Sequence, residues 1–252
     1  MKRLFIKALF VLLLAIIYVT FVSVSTFAMN VGFSTEEFSP EEHQRRMARI
    51  NIEFSKEPPG RRTIECFDVN EKGMIALGYN KFGSTSTICV FSSNGEFQYC
   101  YEYENSGSFT FEWDGDNLVI WDIRSGSAKS VDPSGKVLEL RDVPSTYENT
   151  KYYRTHLLSP ERYVGNVKYE LRNDLGLLNL FAVQTYSQLV VIDEDGVEHV
   201  IYDASTTQIF KCIGFIIFII VFCSGFIYVI RGFIARVKAS DQGKATQHVD
   251  SQ

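Results

Sequence analysis

The sequence predicts an all-β extracytoplasmic domain of about three four-stranded units, open or incomplete, flanked by two transmembrane α-helices. One uncharged, mostly apolar run occupies residues 212–230, and another follows Lys7 near the N-terminus. A helix of about 20 apolar residues spans a bilayer core. Between the two runs, short stretches rich in β-branched and aromatic residues alternate with glycine turns, which is typical of successive hairpins.

The N-terminal segment has two interpretations. Residues 1–7 carry three positive charges and form a predicted cytoplasmic N-terminus, and residues 8–28 form a transmembrane helix or signal anchor. A secretory signal would be cleaved after Ala28. The segment stays uncharged up to Thr35, which is long for a signal core, so we favour the anchor. Cleavage would leave a single-pass protein, whereas the anchor gives two spans.

The second predicted span covers residues 209–230, and a cytoplasmic tail covers residues 231–252. Arg231, Arg236 and Lys238 follow this span closely, and positive charge favours the cytoplasmic side. The central region is therefore expected on the extracytoplasmic side of the cell membrane. Residues 29–208 contain 17 Lys+Arg against 28 Asp+Glu, a charge of −11. This acidic balance argues against nucleic acid as a partner.

Residues 29–62 are predicted to be a juxtamembrane spacer with one short helix. Ser39 is a suitable N-cap, Pro40 fits the first helical position, and Glu42 completes a capping box. The helix is expected to run from Pro40 to about Asn51. The segment Glu57-Pro58-Pro59-Gly60 forbids its continuation.

Residues 63–208 form the predicted β domain, in which the pattern is all strand and turn as far as about Asp203. Hairpin turns are expected at the glycines that follow polar residues. The predicted strands are Ile64–Val69, Met74–Tyr79, Ile88–Phe91, Phe97–Tyr103, Ser108–Trp113, Leu118–Trp121, two strands within Ala128–Leu140, Val167–Leu171, Leu178–Val183 and two within Leu189–Ile201.

The turn glycines repeat at a nearly constant interval. Gly73 and Gly115 are 42 residues apart, and Gly95 and Gly135 are 40 apart. A period near 40 with four strands per unit is typical of propeller blades. The next turn, at Gly196, follows Gly135 by 61 residues, so the repeat is interrupted there.

Three short stretches, 90–96, 130–136 and 191–197, resemble the outer hairpins of β-propeller blades of the NHL type. The resemblance covers residues 63–140 and, more loosely, 160–203. It implies a stack of propeller-like units. Closed propellers have at least four blades, and this chain has room for about three. Either the stack is open, or a protein partner or a second copy of the chain completes it.

A disulfide between Cys89 and Cys100 is possible. A two-residue turn at Asn94-Gly95 places them directly opposite each other, whereas a three-residue loop with left-handed Gly95 offsets them by one residue. Even in the first register, two buried thiols facing one another are an equal alternative.

The sequence contains no recognisable catalytic, metal-binding or phosphate-binding motif, so we expect no enzyme activity and no cofactor. The aromatic side chains between positions 97 and 121 are expected to pack mainly between sheets. Trp113, Asp114 and Asp116 form the candidate ligand edge, because an aromatic ring there is followed by two acidic turn residues.

These observations favour a membrane-anchored extracytoplasmic binding or scaffold protein, with the lipid bilayer and a protein partner or a second copy as its contacts. The alternative is an accessory subunit of a membrane complex that acts through its transmembrane helices. An extracytoplasmic enzyme is the third hypothesis.

Overall fold

The computed structural model describes residues 29–80, 85–105, 107–181 and 185–249. The predicted first span lies outside the described residues. The helices are α1 (Pro40–Met47), α2 (Tyr147–Tyr152) and α3 (Ser205–Val249). The strands are β1 (Ile52–Ser55), β2 (Cys66–Val69), β3 (Ile75–Asn80), β4 (Thr85–Phe91), β5 (Phe97–Glu104), β6 (Phe109–Asp114), β7 (Asn117–Asp122), β8 (Ser127–Val131), β9 (Val137–Asp142), β10 (Glu161–Val164), β11 (Val167–Arg172), β12 (Gln188–Ile192) and β13 (Glu198–Asp203).

The strands form three antiparallel sheets, each built on a meander of four consecutive strands. Sheet 1 has the order β1-β5-β4-β3-β2, sheet 2 the order β6-β7-β8-β9, and sheet 3 the order β10-β11-β12-β13. The first strand of the sheet 1 meander, β2, packs beside the first strands of the other two meanders, β6 and β10. This arrangement is consistent with propeller-like units, and the stack is open rather than closed.

Sheet 1 lies in the middle of the stack, because each of its faces packs against another sheet. Its interface with sheet 2 contains the aromatic residues of β5 and β6, which the sequence assigned to packing: Tyr101, Tyr103, Phe109 and Phe111. Its interface with sheet 3 is a second cluster of buried apolar side chains, which includes Phe67, Leu77, Leu171 and Leu189. Each fully buried apolar side chain of this size contributes about 1.5–3 kcal/mol, so these two interfaces hold the sheets together.

The outer face of sheet 2 is covered by the chain itself. Phe33 from the N-terminal segment packs on Trp121 with ring centroids 4.7 Å apart, and Leu157 is buried in the same cluster. Asn149 ties the two covering segments together: its Oδ1 accepts from the backbone amide of Ser34 at 2.8 Å, and its Nδ2 donates to the Pro144 carbonyl at 2.9 Å. Sheet 2 therefore needs no further sheet against it.

The outer face of sheet 3 carries a row of ion pairs beside a few apolar side chains such as Val200. Lys168 Nζ lies 2.7 Å from Glu161 and 3.0 Å from Glu170, and Arg172 lies 2.9 Å from Glu198. These residues alternate along β11 with Tyr169 and Leu171, which face the core. An apolar fourth unit would have to desolvate these ions, so the open stack is the arrangement that the sequence supports.

The Cys89 hairpin combines features of both predicted turns. Gly95 has φ +82°, and its amide donates to the Ser92 carbonyl, as in the three-residue loop. A bulge between Val90 and Phe91 then shifts the register by one, and Cys89 again lies opposite Cys100. Their sulfur atoms are bonded. The bulge absorbs the offset that the loop introduces.

Several elements differ from the prediction. The region from Thr63 to Asp203 is not all strand: α2 and a π-helical turn, Tyr153–Leu157, lie between sheets 2 and 3 and account for the long interval before Gly196. The prediction of a strand from Leu178 to Val183 is wrong for the described residues, because Gly176–Phe181 forms a 3₁₀ helix; residues 182–183 lie outside the described part of the chain. The inner strand β10 was not predicted.

Residues 29–62 also differ from the predicted spacer. The helix α1 has the expected Ser39 cap, with the Ser39 hydroxyl accepting from the Glu42 amide. However, β1 pairs with β5 as a fifth strand of sheet 1, and Phe33 belongs to the core of sheet 2. The segment is part of the β domain, because its apolar side chains cover surfaces that the sheets leave open.

The helix α3 begins two residues after β13. Residues Ser205–Gly232 form the one helix in the described part of the chain that is long and apolar enough to cross a membrane, by length and composition. Its base is fastened to the domain: the Thr207 hydroxyl donates to the Arg61 carbonyl at 3.1 Å, and Lys211 Nζ donates to the Thr63 hydroxyl at 2.7 Å. The described helix continues to Val249, through the predicted tail.

Candidate functional site

One buried ion pair joins the inner strands of all three sheets. Arg162 of β10 donates from Nε to Asp68 Oδ1 of β2 at 2.8 Å, and both side chains are almost fully buried. The other oxygen of Asp68 accepts from the backbone amide of Trp113 in β6 at 2.8 Å. The Trp113 indole also donates to the Asp68 carbonyl. This group fixes the position of Trp113.

A cavity of about 650 Å³ opens above this ion pair, at the ends of β2, β6 and β10. Residues from all three sheets, the N-terminal segment and the helical insertion line it. They are Asn30, Asp68, Val69, Asn70, Glu71, Lys72, Glu112, Trp113, Asp114, Gly115, Asp116, Tyr152, His156, Arg162 and Tyr163. We call this cavity the central cleft.

The three residues of the predicted ligand edge all line the central cleft. Asp114 and Asp116 flank Gly115, whose φ of +62° allows the tight turn between β6 and β7. Asp116 bridges to Lys72 of sheet 1 at 2.6 Å, and Asp114 accepts from the amide of Asn30 at 3.1 Å. Trp113 is partly exposed beside them.

A second polar group forms the wall of the central cleft. Glu112 accepts hydrogen bonds from the Gly32 amide and the Tyr152 hydroxyl, both at 2.7 Å. Burial raises the pKa of the Glu112 carboxyl, although both hydrogen bonds oppose this shift. The imidazole of His156 stacks on the Tyr152 ring with centroids 4.8 Å apart, and burial together with the charge of Arg162 lowers the pKa of His156.

The central cleft is acidic. Its described lining contains five carboxylates, of Asp68, Glu71, Glu112, Asp114 and Asp116, against the two fixed cations of Lys72 and Arg162. Arg162 is already paired with Asp68, and Lys72 with Asp116. The arrangement can attract a cation and place it beside an aromatic ring. Among the described residues, no group of three histidine, cysteine or acidic side chains could hold a metal ion.

The cysteine pair lies away from the central cleft. Cys89 and Cys100 are buried in the cluster between sheets 1 and 3, on the two strands of their hairpin, β4 and β5. Cys66, a free thiol, is buried on the opposite face of sheet 1. Burial raises the pKa of Cys66 well above its usual value, which makes it a poor nucleophile.

The sequence did not indicate Asp68, Arg162, Tyr152 or His156 as site residues. They are distant in the chain from Trp113, and no motif links them. A weak signal was present at Asp68, an acidic residue in an otherwise apolar strand, because a buried carboxylate requires a partner. Arg162 could not be identified as this partner, since β10 itself was not predicted.

A smaller cavity, of about 330 Å³, lies between α1 and the strands β5 of sheet 1 and β7, β8 and β9 of sheet 2. It contains the buried Lys129, which pairs with Asp122 at 2.6 Å and lies over the Tyr103 ring. On α1, Arg45 and Arg46 are both paired with Glu42. The central cleft is the better candidate for a ligand site, because it is about twice as large and residues of all three sheets converge on it.

The chain matches no protein-family model and no curated protein sequence. The arrangement of the three sheets is consistent with propeller-like units, and no family match supports the NHL type.

Proposed function

We propose that the protein is a membrane-anchored extracytoplasmic binding protein, and that its central cleft accepts a positively charged group of a protein partner. The observation that carries this proposal is the convergence of Trp113, Asp114 and Asp116 with residues of all three sheets around one acidic cavity.

The position of the central cleft suits a partner that approaches from outside. The helix α3 leaves the domain next to Thr63, at the start of the inner strand of sheet 1, whereas the central cleft is formed by Asn70 and its neighbours beyond the other end of that strand. The four residues of β2, Cys66–Val69, lie between these points, and an extended strand of that length covers roughly 13 Å. A cleft facing away from the anchor is accessible to another protein.

The chemistry of the central cleft favours a lysine or arginine side chain as the bound group. Carboxylates of Glu71, Asp114 and Asp116 surround the opening, and Trp113 supplies an aromatic face. A cation beside such a face gains about 0.5–1 kcal/mol at an exposed site and more when it is desolvated. The long apolar stems of lysine and arginine also suit a partly apolar wall.

A basic peptide tests the proposal. The full chain in lipid nanodiscs, with Trp121 replaced by Phe so that Trp113 alone fluoresces, is titrated with the peptide (Gly-Ser-Lys)₃. We expect the peptide to change Trp113 fluorescence and to bind more weakly at high salt. Asp114→Asn with Asp116→Asn should weaken binding on the order of tenfold, which corresponds to about 1.4 kcal/mol.

The matched control is Glu194→Gln with Asp195→Asn. It removes the same number of charges from another turn of the domain, that of β12 and β13. We expect it to leave the affinity within about twofold, because exposed charges separated by more than about 8–10 Å are largely screened at physiological salt. Equal losses in both double variants, or no binding to the unmodified chain, would contradict the proposal.

A further inference from the structure

The 3₁₀ helix Gly176–Phe181 exposes apolar side chains to a degree unusual for a folded domain. Leu177 is 87% exposed, Leu180 is 78% exposed and Phe181 is 40% exposed. The helix contains no charged residue. Contiguous exposed apolar residues of this kind mark a contact with a membrane or with another protein.

Two asparagines hold this segment in place. Asn179 Oδ1 accepts from the Leu175 amide at 3.1 Å, and its Nδ2 donates to the Asn173 carbonyl at 3.2 Å. Asn173 Oδ1 in turn accepts from the amide of Ser187, the residue before β12, at 2.7 Å. The described residues of this segment are therefore held by side-chain hydrogen bonds.

The segment lies against α3 at the start of its uncharged run. The Cys212 thiol donates to the Leu178 carbonyl with 3.9 Å between Sγ and O, and Cys212 is buried. Lys211 is the last charged residue before Arg231. Phe210 and Ile213, on either side of Cys212 in the sequence of α3, are also exposed.

We infer that Gly176–Phe181 is a second membrane contact, which inserts Leu177, Leu180 and Phe181 into the lipid of the outer leaflet beside α3. This inference rests on the anchoring of the protein by α3 in the proposed function. The position of the segment favours lipid as the contact of these apolar side chains, because the segment lies against α3 where its uncharged run begins. A single helix leaves a domain free to tilt, and a second contact at its base restrains it.

Fluorescence quenching by brominated lipid tests this contact in the full chain. Leu177→Cys and Leu180→Cys, each combined with Cys223→Ser, are labelled with the fluorophore NBD and reconstituted into phosphatidylcholine vesicles at high lipid excess. Val197→Cys, an exposed apolar position in the β12–β13 turn at the far end of the same sheet, is the matched control. We expect at least twofold stronger quenching at positions 177 and 180 than at position 197.

A separate label at Cys223, which is exposed in the middle of the uncharged run of α3, reports whether the helix itself enters the lipid. Quenching at Cys223 with no more quenching at positions 177 and 180 than at 197 overturns the second contact and leaves the anchor intact. This result is also the one expected if a protein partner or a second copy covers the loop. Lack of quenching at Cys223 overturns the anchor, and the second contact with it.

Discussion

Replacing Arg162 with methionine is the most direct test of how the three sheets are held together. The substitution removes the guanidinium that pairs with Asp68 at 2.8 Å and keeps an apolar stem that can still pack on the Phe67 ring. It also removes donors to the backbone carbonyls of Ser159 and Glu161, at 3.1 and 2.9 Å. Asp68 then keeps only the hydrogen bond from the Trp113 amide among these contacts.

The expected loss is large because the Asp68 carboxylate stays buried without its counter-ion. Removing one partner of a buried ion pair costs about 3–5 kcal/mol. Typical domains have a total stability of about 5–15 kcal/mol, so this is a substantial fraction. With a urea dependence near 2 kcal/mol per molar, the unfolding midpoint should fall by about 1.5–2.5 M. The double variant Arg162→Met with Asp68→Asn should lose less than the sum of the two single variants.

The assay is urea unfolding of the full chain in detergent, followed by the fluorescence of Trp113 and Trp121, the only tryptophans of the chain. Lys168→Met is the matched control, since it removes a cation from the exposed face of the same sheet. We expect it to cost less than about 1 kcal/mol, as is usual for surface ion pairs. A loss below 1 kcal/mol for Arg162→Met, or additive losses in the double variant, would refute the role assigned to this ion pair.

Two further predictions concern stability. Reducing the disulfide between Cys89 and Cys100, or replacing both cysteines with Ala, should lower the free energy of unfolding by about 3 kcal/mol. This is the value for a disulfide that closes a loop of about a dozen residues. An unchanged urea midpoint in dithiothreitol would argue against the bond. Because burial raises the pKa of Glu112 above its usual 4.5, its contribution to stability is complete below pH 4.5 and is lost as the pH rises through its folded-state pKa. The stability of the unmodified protein relative to Glu112→Gln should therefore increase as the pH falls from 7 towards 4.5. A difference that does not vary with pH would contradict the assigned cause.

The hairpins of sheets 1 and 2 could be predicted because their signal is local. Turns such as Asp132-Pro133-Ser134-Gly135 contain a side chain that accepts from backbone amides two and four residues later, and a glycine with positive φ. Trp113, Asp114 and Asp116 were identified for the same reason, since they are adjacent in sequence at such a turn. The structure places all three in the central cleft.

The Leu178–Val183 prediction failed because a short apolar run has the same pattern whether it is buried in a sheet or exposed beside an apolar helix. Only the side-chain hydrogen bonds of Asn173 and Asn179, together with the contact to Cys212, distinguish the two. Burial by distant segments likewise cannot be predicted from a local pattern. Residues 29–36 cover sheet 2 from 80 or more residues away in sequence.

The sequence by itself determined the apolar run of α3, the antiparallel hairpins and the acidic turn beside Trp113, because charge, hydrophobicity and turn chemistry act over a few neighbouring residues. Only the tertiary structure decided which surfaces remain open. The pairing of Asp68 with Arg162, the covering of sheet 2 by Phe33 and the ionic outer face of sheet 3 all depend on residues that are far apart in the chain or on the face that a strand presents. These contacts explain how about three units can form a stack that does not close.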